Sequence, residues 1–555
     1  MRNALTLAAC TLALVQFGIR ADHFARSASQ TFDEGAHLVA GVSYWRTGTF
    51  RINPEHPPLL KLLWAIPVAA RSDVPFQPDP DAWDRKDHWT LADQFLYDGP
   101  AEHFDLLLAA RRVNIALGTA FVALIGWWAY RLWGRAAAFT ACALAGLDSN
   151  LVAFAALLSM DIGLALFTTF AAYALWEYAG TGSRRWFLAA GLFLGLALAA
   201  KFSAIVSIAG LSIGVIGYVL AGGTMAVPGA PIAGSRSERL LALPAALVRL
   251  GLIAVVVVIV TYAGIHALDW ARGLKHQITR EVHGDPHFFL NGEISSTGWW
   301  SYFLWVLAIK TPPGTLVLAL VSIVAIKVGG RFTSREVAFL VAPAGIYFLA
   351  MTISRIDIGW RVMLPAYPAL VLVGARAATL IPTARFSRLI GGTLLAVVAL
   401  SGVTDLRHAG QELSYANGLV AGRADLHEHL GDSNIDWGQG LKALKAELNA
   451  RGDPVIYLSY AGTARPEAYG IRHERLPGWG QFHRPPPDRV DTARPVLAAI
   501  SVSNLQGTYL RDPATYRWLL DRSPVSRTDA SIWVWDLTGD ADAIARLRNL
   551  STPAE

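Results

Sequence analysis

The chain has 555 residues, 53% of them hydrophobic, with a mean hydropathy of +0.37 and only 16% charged residues. Soluble domains carry about 25% charge, so the composition excludes an ordinary soluble domain and indicates a protein with many membrane spans. The net charge of +6 comes without a basic stripe interleaved with aromatics, which argues against a nucleic-acid partner, and two cysteines in apolar runs, Cys10 and Cys142, exclude a disulfide framework.

In chain order, apolar runs recur at 4–20, 106–130, 136–156, 162–179, 186–200, 203–221, 244–265, 300–326, 336–353, 361–379 and 388–404. Each is read as crossing a hydrocarbon core about 30 Å thick, for a total of about eleven helices. The first run reads as an uncleaved span rather than a signal peptide, because a juxtamembrane loop follows it. Several runs are short, 186–200 above all, which predicts tilted or re-entrant segments. The basic loops "RLWGR", "GSRRW", "GSRSER", "KVGGRFTSRE" and "TARFSR" alternate so that they share one side. By the positive-inside rule that side is the cytoplasm. The loop 22–105 and everything after 404 then lie outside the cytoplasmic membrane, on its periplasmic or extracellular side.

The first outer loop opens with "TFDEGAHLVAGVSYW" and continues to "NPEHPPLLKLLWA". Asp33 and Glu34 stand side by side, and His37 follows Asp33 by four residues, on the same helix face. Acids at this point either cap the helix or do chemistry. Glu55 and His56 precede the rigid Pro57-Pro58 step, and "EHPPLLKLL" predicts a kinked helix at the membrane surface. Asp33, His37, Glu55 and His56 offer donors for a divalent metal, but H-E-x-x-H or comparable spacing is missing. Packing is therefore the role expected of the histidines.

Further along, charged groups meet the membrane edge, where they are costly and usually functional. Asp161 in "LLSMDIGLALF" opens a span, as an acid or as a helix cap. Lys201 in "LALAAKFSAI" lies between two spans, as a phosphate ligand or a snorkelling side chain. Arg355, Asp357 and Arg361 come together in "SRIDIGWRVMLP". By the topology above, these groups and Asp33 face one side. Carboxylates beside Lys and Arg on one membrane face suggest a phosphate bound next to a reacting hydroxyl. Lys310 sits deeper, before the helix-breaking Thr311-Pro312-Pro313-Gly314. It either meets that phosphate or caps the freed carbonyls. The tail carries strand-like runs "PVIYLSYAG", "RPVLAAISV" and "SIWVWDL" and a helix-like "GQGLKALKAELNA". The division is a membrane domain at 1–404 and an α/β domain at 405–555. Within the tail, Asp432, Asn434 and Asp436 of "DSNIDWGQ" suggest a turn and helix cap in preference to a ligand site.

The segments "FDEGAHLVAGVSYWRTG", "NPEHPPLLKLLWA", "SMDIGLALF", "AAKFSAI", "GWWSYFLWVLAIKTPP" and "IGWRVMLPAYP" resemble, in order, the polyprenyl-phosphate-dependent glycosyltransferases. This is the membrane-embedded GT-C fold of protein mannosyltransferases (glycosyltransferase family 39) and bacterial lipid A aminoarabinose transferases. The resemblance runs through most of the first 370 residues, and the tail resembles the extracytoplasmic region of bacterial members. It implies that Asp33 is the catalytic base and Asp161 a second acid. "GLDSNLVAFAALLSMD" departs from the family in lacking a Pro-rich, His-containing lead-in to that acid, which puts the contacts around Asp161 in doubt.

The expected reaction moves a sugar from a polyprenyl-phosphate donor to a hydroxyl of a glycan, lipid or protein acceptor. A single base with backside attack predicts inversion at the anomeric carbon. Lys201, Arg361, Lys310 and Arg355 are expected to hold the donor phosphate. Glu34 and Asp161 would orient the acceptor or tune Asp33, while His37, His56 and Asp357 would line the acceptor side or support the structure. The rival readings are a transporter of a lipid-linked or small anionic solute, which inverted repeats would support, and a membrane scaffold or receptor. No such repeat is evident.

Overall fold

The computed structural model describes residues 2–225, 236–283, 287–324, 330–354, 356–380, 387–420, 422–480 and 489–551. Among these, five helices are long and apolar enough to cross a membrane: Ala4–Ser27, His103–Trp133, Met160–Thr181, Leu241–Thr261 and Ser334–Ser354. Two bent pairs raise the number to seven: Arg135–Leu147 with Ser149–Ala156, bent by 61°, and Tyr302–Lys310 with Pro313–Val324, bent by 110°. Seven is fewer than the eleven apolar runs suggest, because hydropathy counts a run without regard to its backbone. The runs at 203–221 and 361–379 form the shorter helices Ala204–Leu220 and Tyr367–Leu380. The run 136–156 is cut where the Asp148 carboxylate accepts the N–H groups of Asn150 and Leu151 and starts a new helix. The run 300–326 turns at Pro312-Pro313, as the missing N–H groups require.

Three N-terminal helices set up the site. They are α1 (Arg2–Ser27), α2 (Glu34–Thr47) and α3 (Leu59–Ala69). α1 leaves Leu5, Leu7, Leu12 and Ile19 largely exposed, as suits a helix whose outer face meets lipid. α2 instead buries every residue from Glu34 to Tyr44. It packs against α3 so closely that a Cβ on Gly41 would stand 2.1 Å from the Lys61 carbonyl oxygen. Gly48, at φ +69°, ends α2 with its N–H on the Tyr44 carbonyl.

A two-stranded hairpin precedes the tail: β1 (Phe288–Leu290) pairs antiparallel with β2 (Glu293–Ser295). The tail folds around a five-stranded mixed sheet of β3 (Ile456–Ser459), β4 (His473–Arg475), β5 (Leu497–Ser501), β6 (Ser526–Thr528) and β7 (Ile532–Asp536), in the order β4-β3-β5-β7-β6. β3 runs parallel to β4 and β5, while β7 is antiparallel to β5 and β6. The helix Leu441–Ala450 lays Leu441, Leu444 and Leu448 onto one sheet face. The other face joins the main core, in which Phe17, Trp64 and Trp360 belong to the same cluster as Tyr457 and Trp533. The tail is thus packed onto the helical part through apolar contact.

Candidate active site

The turn between α1 and α2 is held from a third helix. In His103–Trp133, Arg111 and Asn114 are three residues apart and so share a face. Arg111 donates to Glu34 through two parallel bonds, Nε–Oε1 at 2.9 Å and Nη2–Oε2 at 2.6 Å. Its remaining N–H groups reach the carbonyls of Ala25, Ala28 and Ser29. Glu34 also accepts the N–H groups of Thr31 and Leu158. Burial alone would raise its pKa, but Arg111 and these N–H groups hold it below the usual carboxylate range. Asn114 donates to the carbonyls of Phe154, Ala155 and Leu157. One helix face therefore fixes both the turn before Asp33 and the loop before Asp161.

Asp33 has a different environment. It occupies the N-cap position of α2 without a side-chain capping bond, and its side chain keeps 28% exposure. Its Oδ2 lies 3.6 Å from Nη1 of Arg361, beyond the 2.7–2.9 Å of a close charge-assisted bond. Burial pushes its pKa up; Arg361 opposes this, while Glu55 and Asp432 add to it. Asp161, in the first turn of Met160–Thr181, accepts from Lys201 Nζ at 2.6 Å and from the Ser159 hydroxyl at 2.8 Å. Arg361 is within electrostatic reach of Asp161 as well as Asp33. Its guanidinium lies over the Trp437 ring, 4.3 Å from the centroid, and its buried Nε has no partner among the described residues. Asp33, Asp161, Lys201 and Arg361, scattered over more than 300 residues of sequence, thus converge. Two turns along the helix from Asp161 lies a small, mainly apolar cavity of about 40 Å³, lined by Trp128, Thr168, Leu211, Phe339 and Tyr347 among others.

The other expected site residues divide. His37 and His56 are ring neighbours, with centroids 5.6 Å apart. Burial holds both imidazoles well below their usual pKa, so they are neutral. Glu55 pairs with Arg280 at 2.7 Å, at the edge of the site. Asp357 accepts the Trp299 N–H at 2.7 Å, and burial pushes its pKa up to about 6. Lys310 points elsewhere: its ammonium donates to the carbonyls of Leu413 at 2.7 Å and Asn434 at 2.8 Å, which is the capping alternative. Arg355 lies outside the described residues. Among the described residues, no three His, Cys, Asp or Glu side chains are grouped to hold a metal ion, so the divalent-metal option lacks a ligand set there.

Sequence reasoning missed Arg111 and underrated the tail segment around "DSNIDWGQ". An arginine within a 31-residue, mainly apolar helix was itself the available signal. In the tail segment, Asn434 Oδ1 accepts the Trp360 N–H at 3.0 Å and its amide donates to Tyr302. The Trp437 carbonyl accepts the Phe32 N–H at 2.9 Å. Gly359, at φ +126°, lies so close to Ser433 that a Cβ there would stand 2.5 Å from the hydroxyl. "DSNIDW" and "DIGWR" thus dock directly.

Residues 10–247 match the family model for dolichyl-phosphate-mannose-protein mannosyltransferases. No curated protein sequence matches the chain. Among solved structures, ArnT from Cupriavidus metallidurans in the apo state aligns over 96% of this chain and 98% of its own, at 16% identity and a TM-score of 0.50, a likeness of fold. The same protein bound to undecaprenyl phosphate aligns over the same shares, at 16% identity and a TM-score of 0.47. The oligosaccharyltransferase AglB from Archaeoglobus fulgidus, in complex with an inhibitory peptide and a dolichol-phosphate, aligns over 80% of this chain and 58% of its own, at 13% identity and a TM-score of 0.40.

Proposed function

We propose that this chain, whose residues 10–247 match the dolichyl-phosphate-mannose-protein mannosyltransferase family model, is a membrane glycosyltransferase that moves a lipid-phosphate-linked sugar to an acceptor hydroxyl with Asp33 as general base. The acceptor oxygen attacks the anomeric carbon and the bond from that carbon to the phosphate oxygen breaks. Asp33 takes the hydroxyl proton, and the polyprenyl phosphate leaves with one more negative charge. Lys201 and Arg361 meet that charge. Attack from the face opposite the phosphate inverts the anomeric centre. Asp161 holds Lys201, and Glu34 supports the turn that carries Asp33.

The observation that carries this reading is the contrast between adjacent acids. Glu34 is fully enclosed by donors, whereas Asp33 is partly exposed, uncapped and 3.6 Å from a guanidinium. A base needs lone pairs that an acceptor can reach. In this reading shorter helices bring the crossing segments to about eleven. Residues 1–404 form the membrane domain, 405–555 an extracytoplasmic domain, and the site opens on the outer side. Asp33→Asn tests the assignment: the variant accumulates and inserts normally but does not transfer sugar. Wild-type transfer by the variant would refute it.

A further inference from the structure

The residues that hold Asp33 and Arg361 in register belong to the tail. The Trp437 carbonyl anchors Phe32, the residue before Asp33. Asn434 anchors Trp360, the residue before Arg361, and the Trp437 ring supports the Arg361 guanidinium from beneath. Ser433 donates to the Ile358 carbonyl at 2.5 Å. At the start of this segment stands Asp432, with a left-handed φ of +52°, a conformation that aspartate tolerates better than most residues. Its Oδ1 accepts the Ser433 N–H at 2.5 Å, and its Oδ2 accepts the Tyr509 hydroxyl. Asp432 is only partly buried, and it acts electrostatically on both Asp33 and Arg361.

Arg361 therefore lies 3.6 Å from Asp33 and within electrostatic reach of two further carboxylates, Asp161 and Asp432, of which Asp161 is already paired with Lys201. A guanidinium facing Asp33 alone would close to a bidentate pair and take up the lone pairs a base needs. The observed separation of 3.6 Å shows that it has not closed. Resting on the reading of Asp33 as the base, we propose that Asp432, oriented by Tyr509, is a positioning residue of the reaction centre: it shares Arg361 with Asp33 and so keeps Asp33 open to the acceptor hydroxyl. The tail is in this way a working part of the transferase. Asp432 itself touches neither donor nor acceptor.

The test uses the full-length protein in membranes of a strain lacking its own copy. The substrate is the endogenous lipid-linked donor and acceptor, and the product is the glycan modification that disappears with the gene. Initial rates are measured against pH at equal amounts of folded protein. The charged groups that act on Asp33 are Arg361, which is 3.6 Å away, and, electrostatically, Glu55, Asp432 and Arg280. Asp432→Asn removes a negative charge and lets Arg361 close on Asp33. The rate is then expected to fall roughly ten- to a hundredfold, a range typical of a misplaced reacting group, and the acid limb of the pH profile to move to lower pH. Asp432→Glu restores part of the rate. If Asp432→Asn does not accumulate, Tyr509→Phe decides, with a several-fold lower rate in a normally folded protein expected. An unchanged rate and acid limb in whichever variant folds would overturn the proposal. Transfer at the wild-type rate by Asp33→Asn in the same assay would instead strike the reading of Asp33.

Discussion

Glu34 and Arg111 form a fully buried, two-pronged ion pair, with bonds of 2.9 and 2.6 Å across 77 residues of sequence. The pair ties the α1–α2 turn to the first third of the long helix His103–Trp133, and the Leu158 N–H on the same carboxylate adds the loop before Asp161. Breaking a buried pair from one side typically costs about 3–5 kcal/mol, because the other charge is left uncompensated. Glu34→Gln is therefore expected to lower the thermal unfolding midpoint and the accumulated protein sharply, as followed by tryptophan fluorescence in detergent. A Glu34→Gln protein as stable as wild type would contradict the clamp.

Arg361 and Asp33 make an opposite demand. Lysine has neither the planar fork nor the flat face that rests on Trp437. Arg361→Lys should transfer roughly tenfold more slowly or worse, with near-normal stability. Arg361→Gln should also move the acid limb to higher pH, because the guanidinium opposes the burial that raises Asp33. Rate–pH profiles of the two variants check both statements.

Lys310 and Lys201 separate structure from chemistry. Lys310→Met leaves the Leu413 and Asn434 carbonyls without their donor, a loss of about 1–3 kcal/mol. It should lower stability while leaving the KM for the lipid donor unchanged. Lys201→Met should raise donor KM or lower kcat, because Lys201 pairs with Asp161 at the proposed reaction centre. Donor titrations of the two variants distinguish these outcomes.

The two neutral histidines predict a pH dependence of stability. Burial, with Lys61 for His37 and with His37 for His56, holds both well below the ordinary 6.5. Below pH 6.5 the unfolded chain binds protons that the folded chain refuses, so stability falls as pH drops from that value. Glu34, depressed below 4.5, adds a further loss under pH 4.5. Unfolding midpoints should fall between pH 7 and 5, and His37→Gln should flatten part of that slope.

Much of the candidate site is legible in the sequence because ionisable side chains are rare in so apolar a chain. Asp33, Asp161, Lys201 and Arg361 stand out for that reason, and alternation of the basic loops groups them on one face. The partners are harder to read. Arg111 sits inside a run that hydropathy scores as one span, and nothing nearby in sequence points to Glu34. Asp148 hides a 61° bend for the same reason, since a single carboxylate barely changes the run's average. The main strands of the tail are visible as β-branched and aromatic runs, but the short edge strands β4 and β6 exist only through pairing. The turn Asn291-Gly292, with both residues at positive φ, carries a hairpin signal that the apolar-run reading passes over. "DSNIDWGQ" looks like a turn from its own residues, and its importance appears only when "DIGWR" packs beside it.

The central claim rests on one carboxylate. Comparing membrane glycolipids and glycoproteins by mass spectrometry, with and without the gene, identifies the sugar modification. The decisive measurement is then its rate of formation by Asp33→Asn at equal folded protein. A loss of about 10²–10⁴-fold, the usual worth of a general base, with an unchanged unfolding midpoint is the predicted result. An Asp33→Asn protein that forms the modification at the wild-type rate would contradict the account.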